Sequence, residues 1–257
     1  MYYGAQLYTL RQYTQTPEDL RKTCERLKAM GCKYVQVSAI CPTIAPEELA
    51  CIMNDNGLVV CNTHSNQKRI TDDTDALIRE HKIFNCNQIG IGCLLPEYQG
   101  SLEGIRKFIS DYKPAAQKII DSGMTLAYHN HSFEFMRFDG TTLFEVITEE
   151  FPELHFIPDV YWFQYAGKNP AKEIRKLKGK IEVCHFKDIV PHPTDGVRMA
   201  PVMEGNLDFE DIISACNEAG VKYAMVEQDD CYDLNAFDAM EISFKNLSKV
   251  LKAGENE

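Results

Sequence analysis

Eight short runs rich in β-formers recur along this chain at intervals of roughly 25 to 35 residues, and that recurrence constrains the fold more than any other feature. The runs are GAQLYTL (4–10), KYVQVS (33–38), LVVCNT (58–63), QIGIGC (88–93), TLAYHN (125–130), LHFIPD (154–159), IEVCHF (181–186) and KYAMVE (222–227). Segments of helical period lie between them. The first opens on Thr16-Pro17-Glu18-Asp19, which supplies a cap, a proline at the first helical position and acids in the first turn. Gly31, Gly57, Gly123, Gly179 and Gly220 each stand just before a run, where a left-handed residue ends a helix at no steric cost.

Strict alternation of strand and helix specifies a parallel sheet, because parallel strands need crossover connections and both faces must be covered. Eight repeats in 257 residues predict closure into one (β/α)₈ TIM barrel spanning 1–257, since about 250 residues is the usual size of that fold. The alternative is an open doubly wound sheet. It would carry a phosphate-cradling glycine loop after the first strand, and here Gly4-Ala5-Gln6-Leu7-Tyr8 leads instead into Thr9-Leu10-Arg11. The longest irregular stretch, Val190 to Glu204 with Pro191, Pro193, Gly196 and Pro201, reads as a loop after the seventh strand, at the end of the barrel that serves active sites.

Composition narrows the partners. Hydrophobic residues at 44% and charged residues at 25% describe an ordinary globular chain. A formal charge of −11 repels phosphate backbones and anionic membranes, which argues against nucleic acid as a partner. The start MYYGAQLYTL has no basic segment leading into an apolar one, and no window reaches the roughly 18 apolar residues of a membrane span, so a cytoplasmic protein is expected. Ten cysteines without a C-x-x-C pair read as reduced, small core residues. An apolar stripe in the last helix, Phe237, Met240, Ile242 and Phe244, with the preceding loop DDCYDLN, is a candidate homo-oligomer or hetero-subunit contact, although such a stripe is more commonly core.

In a barrel of this kind the chemistry belongs to residues at or just beyond the strand ends. Those positions hold His64, then His129, His131 and Glu134, Asp159 and Trp162, His185, Lys187 and Asp188, and Glu227 with Asp229 and Asp230. Each alone has a plain structural reading: Asp159 as a helix cap, His185 as a core histidine, Glu227 as a surface acid. Their coincidence at successive strand ends points elsewhere. Glu134, Asp159, His185 and Glu227 can converge on one point at a barrel mouth, and three carboxylates there would repel unless a divalent ion neutralised them. Three oxygens and one imidazole suit Mn²⁺ best, with Mg²⁺, Co²⁺ or Zn²⁺ as alternatives.

The blocks YHNHSFEF (128–135), PDVYW (158–162), HFKD (185–188), EGNLDF (204–209) and VEQD (226–229) resemble the signature blocks of the sugar phosphate isomerase/epimerase family with xylose isomerase-like TIM barrels, over nearly the whole chain. That resemblance implies an ion held by Glu134, Asp159, His185 and Glu227, with the fifth-strand ligand open between Glu134 and His129. It implies acid/base roles for Glu134 and Glu227, with Lys187 and His131 assisting, and substrate contacts from His64, His129, Trp162, Glu204 and Gln6. The reaction implied is proton transfer beside a sugar carbonyl through an enediolate, the common root of epimerisation, isomerisation and β-elimination in a dehydratase or lyase. A phosphorylated substrate is disfavoured by the acidic mouth and the lack of a glycine-rich anion nest. A barrel that binds a sugar without turning it over is the reading from another class.

Overall fold

In the computed structural model, residues 1–251 are described, so the last six positions of the expected 1–257 domain lie outside the described residues. Eight parallel strands are present: β1 (Tyr2–Gln6), β2 (Tyr34–Val37), β3 (Val59–Ser65), β4 (Gln88–Ile91), β5 (Thr125–His129), β6 (His155–Ile157), β7 (Val183–Phe186) and β8 (Tyr223–Val226). They form one sheet in the order β6-β5-β4-β3-β2-β1-β8-β7. Its two edges, β6 and β7, meet through parallel bridges that pair Phe156 with Ile181 and Asp159 with His185. The Phe156 N–H donates to Lys180 O and the His185 N–H to Pro158 O, each at 2.8 Å. The expected barrel is therefore nearly closed, and its seam runs through two of the residues singled out above.

Helices cover the outside: α1 (Pro17–Ala29), α2 (Pro46–Asp55), α3 (Gln67–Asp72), α4 (Thr74–Ile83), α5 (Leu102–Asp121), α6 (Leu143–Glu150), α7 (Val160–Tyr165), α8 (Pro170–Lys176), α9 (Phe209–Ala219) and α10 (Ala236–Leu247). Helix α1 starts as its sequence dictates, with Thr16 Oγ1 accepting from the Asp19 N–H at 3.1 Å and Pro17 at the first helical position. It buries Leu20, Cys24 and Leu27, one face of a 3.6-residue period. Helix α9 ends at Gly220 with φ of 86°, a left-handed cap that would strain any residue bearing a Cβ. The stripe in α10 is mostly core: Phe237, Met240 and Phe244 are buried, and only Ile242 is partly exposed. Among the described residues no helix is long and apolar enough to cross a membrane. All ten cysteines are free thiols, six of them buried.

Strand alternation divides the apolar residues into two cores. Tyr128, Phe156, Cys184, Phe186, Ala224 and Val226 point outward into the large layer under the helices. Ala127, Ile157, Val183 and Met225 point inward and form a separate cluster inside the barrel. Below it the rings of Tyr2, Tyr34 and Tyr223, each at the start of its strand, pack with centroids 4.9 to 6.5 Å apart. This end is sealed by aromatic surface, so the polar interior positions face the other one.

Two segments depart from the expected pattern. The first strand stops at Gln6, and Leu7–Tyr13 turn into a 3-10 helix because the Gln6 side-chain Oε1 accepts the Tyr8 N–H at 2.9 Å. The stretch expected as an irregular loop contains an antiparallel hairpin, Asp188–His192 against Gly196–Ala200. Asp188 ties it down by accepting the backbone N–H groups of Ile189, Gly205 and Leu207 at 2.8 to 3.1 Å. Asp188→Ala strands three backbone donors in a partly buried place, and urea unfolding should show a loss of about 2–4 kcal/mol, with a change under about 0.5 kcal/mol refuting this anchoring.

Candidate metal centre at the barrel mouth

The inward layer Ala127, Ile157, Val183 and Met225 dictates what comes next. Two residues further along each strand direction stand His129, Asp159, His185 and Glu227. All four are at least 95% buried. Each offers one ligand atom, and these atoms all lie within 4.8 Å of one another.

The two imidazoles are oriented from behind. His185 Nε2 lies 2.7 Å from Gln36 Oε1, which can only accept, so the ring proton sits on Nε2. Its Nδ1 lone pair then faces Glu227 Oε2 at 2.8 Å and Asp159 Oδ2 at 3.8 Å. His129 donates from Nδ1 to the Gly92 carbonyl at 3.1 Å and turns Nε2 toward Asp159 Oδ2 at 3.2 Å. Outer partners that fix the ring tautomer in this way are the usual support of metal-ligating histidines. His185 Nδ1 is buried and finds no hydrogen-bond partner. Asp159 uses its two oxygens separately: Oδ1 caps α7 through the Tyr161 and Trp162 N–H groups, and Oδ2 enters the cluster.

Lys187 supplies the positive charge that these acids require. Its Nζ lies 3.1 Å from Asp159, 3.0 Å from Glu227 and 3.0 Å from Asp229. Burial pulls against the ammonium, yet the three carboxylates win and hold its pKa above the ordinary lysine value. Burial likewise opposes ionisation of Glu227, but Lys187 and the His185 ring bring its carboxyl well below the usual range. His129 is depressed by burial and raised more strongly by its bond to Asp159. Asp229, desolvated and repelled by Glu227, is pushed up to about 6. His64 and His131 are held neutral by burial and by neighbouring rings, His131 at about 3.

These groups border a cavity of about 350 Å³. Its lining combines the titratable groups His129, Lys187, Glu227 and Asp229 with the uncharged polar side chains of Ser38, His64, Ser65, Asn66 and Gln67, and with Tyr8 and His131.

The sequence profile of the xylose isomerase-like TIM barrels matches residues 10–243. The chain belongs to that family. No curated protein matches it in a sequence search. Among solved structures it is similar to a sugar phosphate isomerase/epimerase from Parabacteroides distasonis ATCC 8503, at 18% identity and a TM-score of 0.78, covering 96% of this chain and 93% of that one. It is similar to a D-allulose 3-epimerase from Methylomonas sp., at 14% identity and a TM-score of 0.72, covering 97% of each chain. It is also similar to the probable 3-DHS dehydratase AsbF involved in petrobactin synthesis from Bacillus anthracis, at 15% identity and a TM-score of 0.71, covering 96% and 99%. At these identities the likeness is one of fold.

Within this xylose isomerase-like barrel the expected residues separate into those brought together and those held apart. Asp159, His185 and Glu227 join the cluster, and His129 takes the fifth-strand place rather than Glu134. Glu134 is buried outside it, its carboxylate bonded to the Tyr128 hydroxyl and to the His131 N–H at 2.9 Å. Gln6 does not line the cavity; it is fully buried and turns its amide toward His64. Glu204 lies away from the mouth, exposed and accepting from Asn246 Nδ2 at 2.7 Å, because Asp188 takes up the backbone of its loop. Trp162 stands at the rim, 5.4 Å from the His131 ring and 5.5 Å from Lys187 Nζ. Gln36, Asn130 and Gly92 were missed. Gln36 could have been found as the lone amide in the apolar run YVQV, and Asn130, whose Oδ1 holds the Asp159 N–H at 3.1 Å, as part of the YHNH block.

Glu134 titrates unusually: burial raises its carboxyl to about 7, against hydrogen bonds from Tyr128 and His131 that lower it. A folded pKa above the unfolded one means the native state holds the extra proton, so this group's stability contribution is present in acid and is lost as pH rises from about 4.5 to about 7. Glu134→Gln should therefore gain about 3 kcal/mol relative to wild type over that interval in urea unfolding, while still binding a divalent ion. A pH-independent difference would remove this account of Glu134.

Proposed function

We propose that this chain is a sugar isomerase or epimerase that moves a proton on a carbon beside the substrate carbonyl, using one divalent ion held by His129, Asp159, His185 and Glu227. The observation that carries the reading is the pair of imidazoles whose outer nitrogens are spent on Gln36 and Gly92 and whose inner nitrogens face two carboxylates. The His185 Nδ1 lone pair opposed to the Glu227 carboxylate at 2.8 Å calls for a cation between them, and His129 Nε2, hydrogen-bonded to Asp159 at 3.2 Å, would give up its proton to join that ion. Two nitrogens and two oxygens form a borderline donor set, which favours Mn²⁺, Co²⁺ or Zn²⁺ over Mg²⁺, and Mn²⁺ remains our assignment. When bound, the ion supplies Lewis-acid polarisation of the carbonyl and its neighbouring hydroxyl.

The protein does the rest. Glu227, ionised by Lys187 and lining the cavity, is the group to take the proton from carbon. Lys187 donates hydrogen bonds to oxygen as negative charge develops in an enediolate, and Asp229 keeps its ammonium in place. Trp162 offers an apolar face at the rim, and His131, neutral in its buried position, offers a ring nitrogen to a hydroxyl. The substrate is a small sugar or keto-sugar, matched to a cavity of about 350 Å³ whose lining includes hydroxyls, amides and imidazoles.

A second reading, β-elimination as in a dehydratase, is favoured by one feature. Glu227 and Asp229, the two carboxylates on the cavity wall, both come from the end of β8, and Glu134 does not face them across the substrate. Acid and base on one side suit removal of a proton and loss of a neighbouring hydroxyl together, with Glu227 taking the proton from carbon and Asp229, pushed up to about 6, giving one to the departing oxygen. Incubation with free ketoses and 3-keto-sugars in D₂O distinguishes the readings by nuclear magnetic resonance: a deuterated isomer or epimer supports the first, a product lighter by one water the second. Neither, with no deuterium at any carbon, would leave a barrel that only binds sugar. Stripping the ion with a chelator should abolish turnover and Mn²⁺ should restore it, and Glu227→Gln should slow exchange by roughly 10²–10⁴-fold with the fold intact. Stoichiometric metal analysis showing no ion under any loading condition would refute the site.

A further inference from the structure

Gln6 is fully buried with both ends of its amide engaged, and its constraint propagates to the cavity. Its Oε1 accepts the Tyr8 N–H at 2.9 Å, which leaves only the NH₂ end to meet His64 Nδ1 at 3.4 Å. An NH₂ group donates and cannot accept, so His64 Nδ1 must be the acceptor and the proton of the neutral ring must sit on Nε2. That Nε2 is buried and without a partner. The ring lines the cavity, 5.1 Å from the His129 ring and 5.4 Å from that of His185. Gly92 makes the placement possible, because a Cβ there would come within 2.8 Å of His64 Nδ1. The same Gly92 accepts from His129 Nδ1, so one glycine leaves room for one imidazole and orients another. His64 carries its proton toward the cavity.

We propose that His64 is a neutral hydrogen-bond donor to a substrate oxygen beside the ion-holding cluster, and that Gln6 is the positioning residue that imposes the required tautomer. A protonated Nε2 cannot ligate a cation, which separates His64 from the neighbouring rings and gives it the complementary task of stabilising an oxygen as it becomes negative. The proton stays on His64 throughout. The substrate then needs two adjacent oxygens, one for the cluster and one for His64, which is the pattern of an α-hydroxy carbonyl. This assignment rests on the proton-transfer reading above for its catalytic meaning, but the tautomer itself does not depend on it.

The test uses the full chain, ¹⁵N-labelled at histidine and loaded with diamagnetic Zn²⁺, with glycolohydroxamate as a mimic of an enediolate. Long-range ¹H–¹⁵N correlation should show His64 protonated at Nε2, and the mimic should move that proton downfield. Gln6→Glu replaces the donor by a carboxylate, draws the proton to Nδ1 and should weaken the mimic by about 10- to 100-fold while leaving zinc affinity unchanged. Gln6→Met is a second, uncharged variant should the glutamate fail to fold; it should yield mixed tautomers and a smaller loss in the same direction. A wild-type His64 protonated at Nδ1, or variants that bind the mimic as tightly as wild type, would overturn the inference. Failure of the wild type to bind zinc would instead overturn the ion-holding site, with the tautomer still read directly from the spectrum.

Discussion

The alternation of side chains along a strand is the constraint on which the rest of this molecule depends. Ala127, Ile157, Val183 and Met225 must face the interior, because their small or aliphatic side chains fill the barrel and the aromatic neighbours Tyr128, Phe156 and Phe186 fill the outer layer. Once that layer is set, His129, Asp159, His185 and Glu227 have no choice but to face inward one step higher. The seam of the barrel makes the point concrete, since one of the two bridges that close β6 onto β7 is the pairing of Asp159 with His185. The backbone pairing that helps close the barrel also sets two cluster residues side by side.

Burying such a cluster is costly unless its charges cancel, and the cancellation here is local. Asp159 and Glu227 are ionised although burial opposes it, because Lys187 sits within 3.1 Å of both. An isolated buried carboxylate would instead take up a proton, as Glu134 tends to do a short distance away, with its carboxyl raised to about 7. The contrast assigns different work to the two glutamates that the sequence treated as a pair. Glu227 is kept charged and open to the cavity, whereas Glu134 braces the turn after β5 through Tyr128 and His131.

How much was legible beforehand follows from the same rule. Eight strands, the ends of all but the first, the helix stops at glycine and three of the four cluster residues could be read because each depends on local pattern or on position along a strand. The choice between His129 and Glu134 could not be made from residue type, which favours a carboxylate for a hard ion. Alternation would have made it: Ala127 faces in, so His129 faces in, and Tyr128 faces out toward the place where Glu134 is captured. Glu204 and the stretch from Val190 were misplaced for a different reason. The path of that segment is decided by Asp188 collecting backbone N–H groups from Ile189, Gly205 and Leu207, contacts up to 19 residues distant that no local pattern announces.

The mouth that results is asymmetric in a way that bears on its chemistry. Strands β5 to β8 deliver every charged group of the cavity wall, whereas β1 to β4 deliver oriented neutral groups, among them the Gln6–His64 pair and the Gly92 carbonyl. Charge is thereby confined to the side where an ion and a base can act, and the opposite side can only donate or accept hydrogen bonds. A neutral wall of hydroxyls and amides suits the hydroxyl-rich substrate proposed above. Since burying charge costs more than burying neutral polar groups, confining it to one side, where Lys187 offsets the carboxylates, limits the cost of a polar mouth.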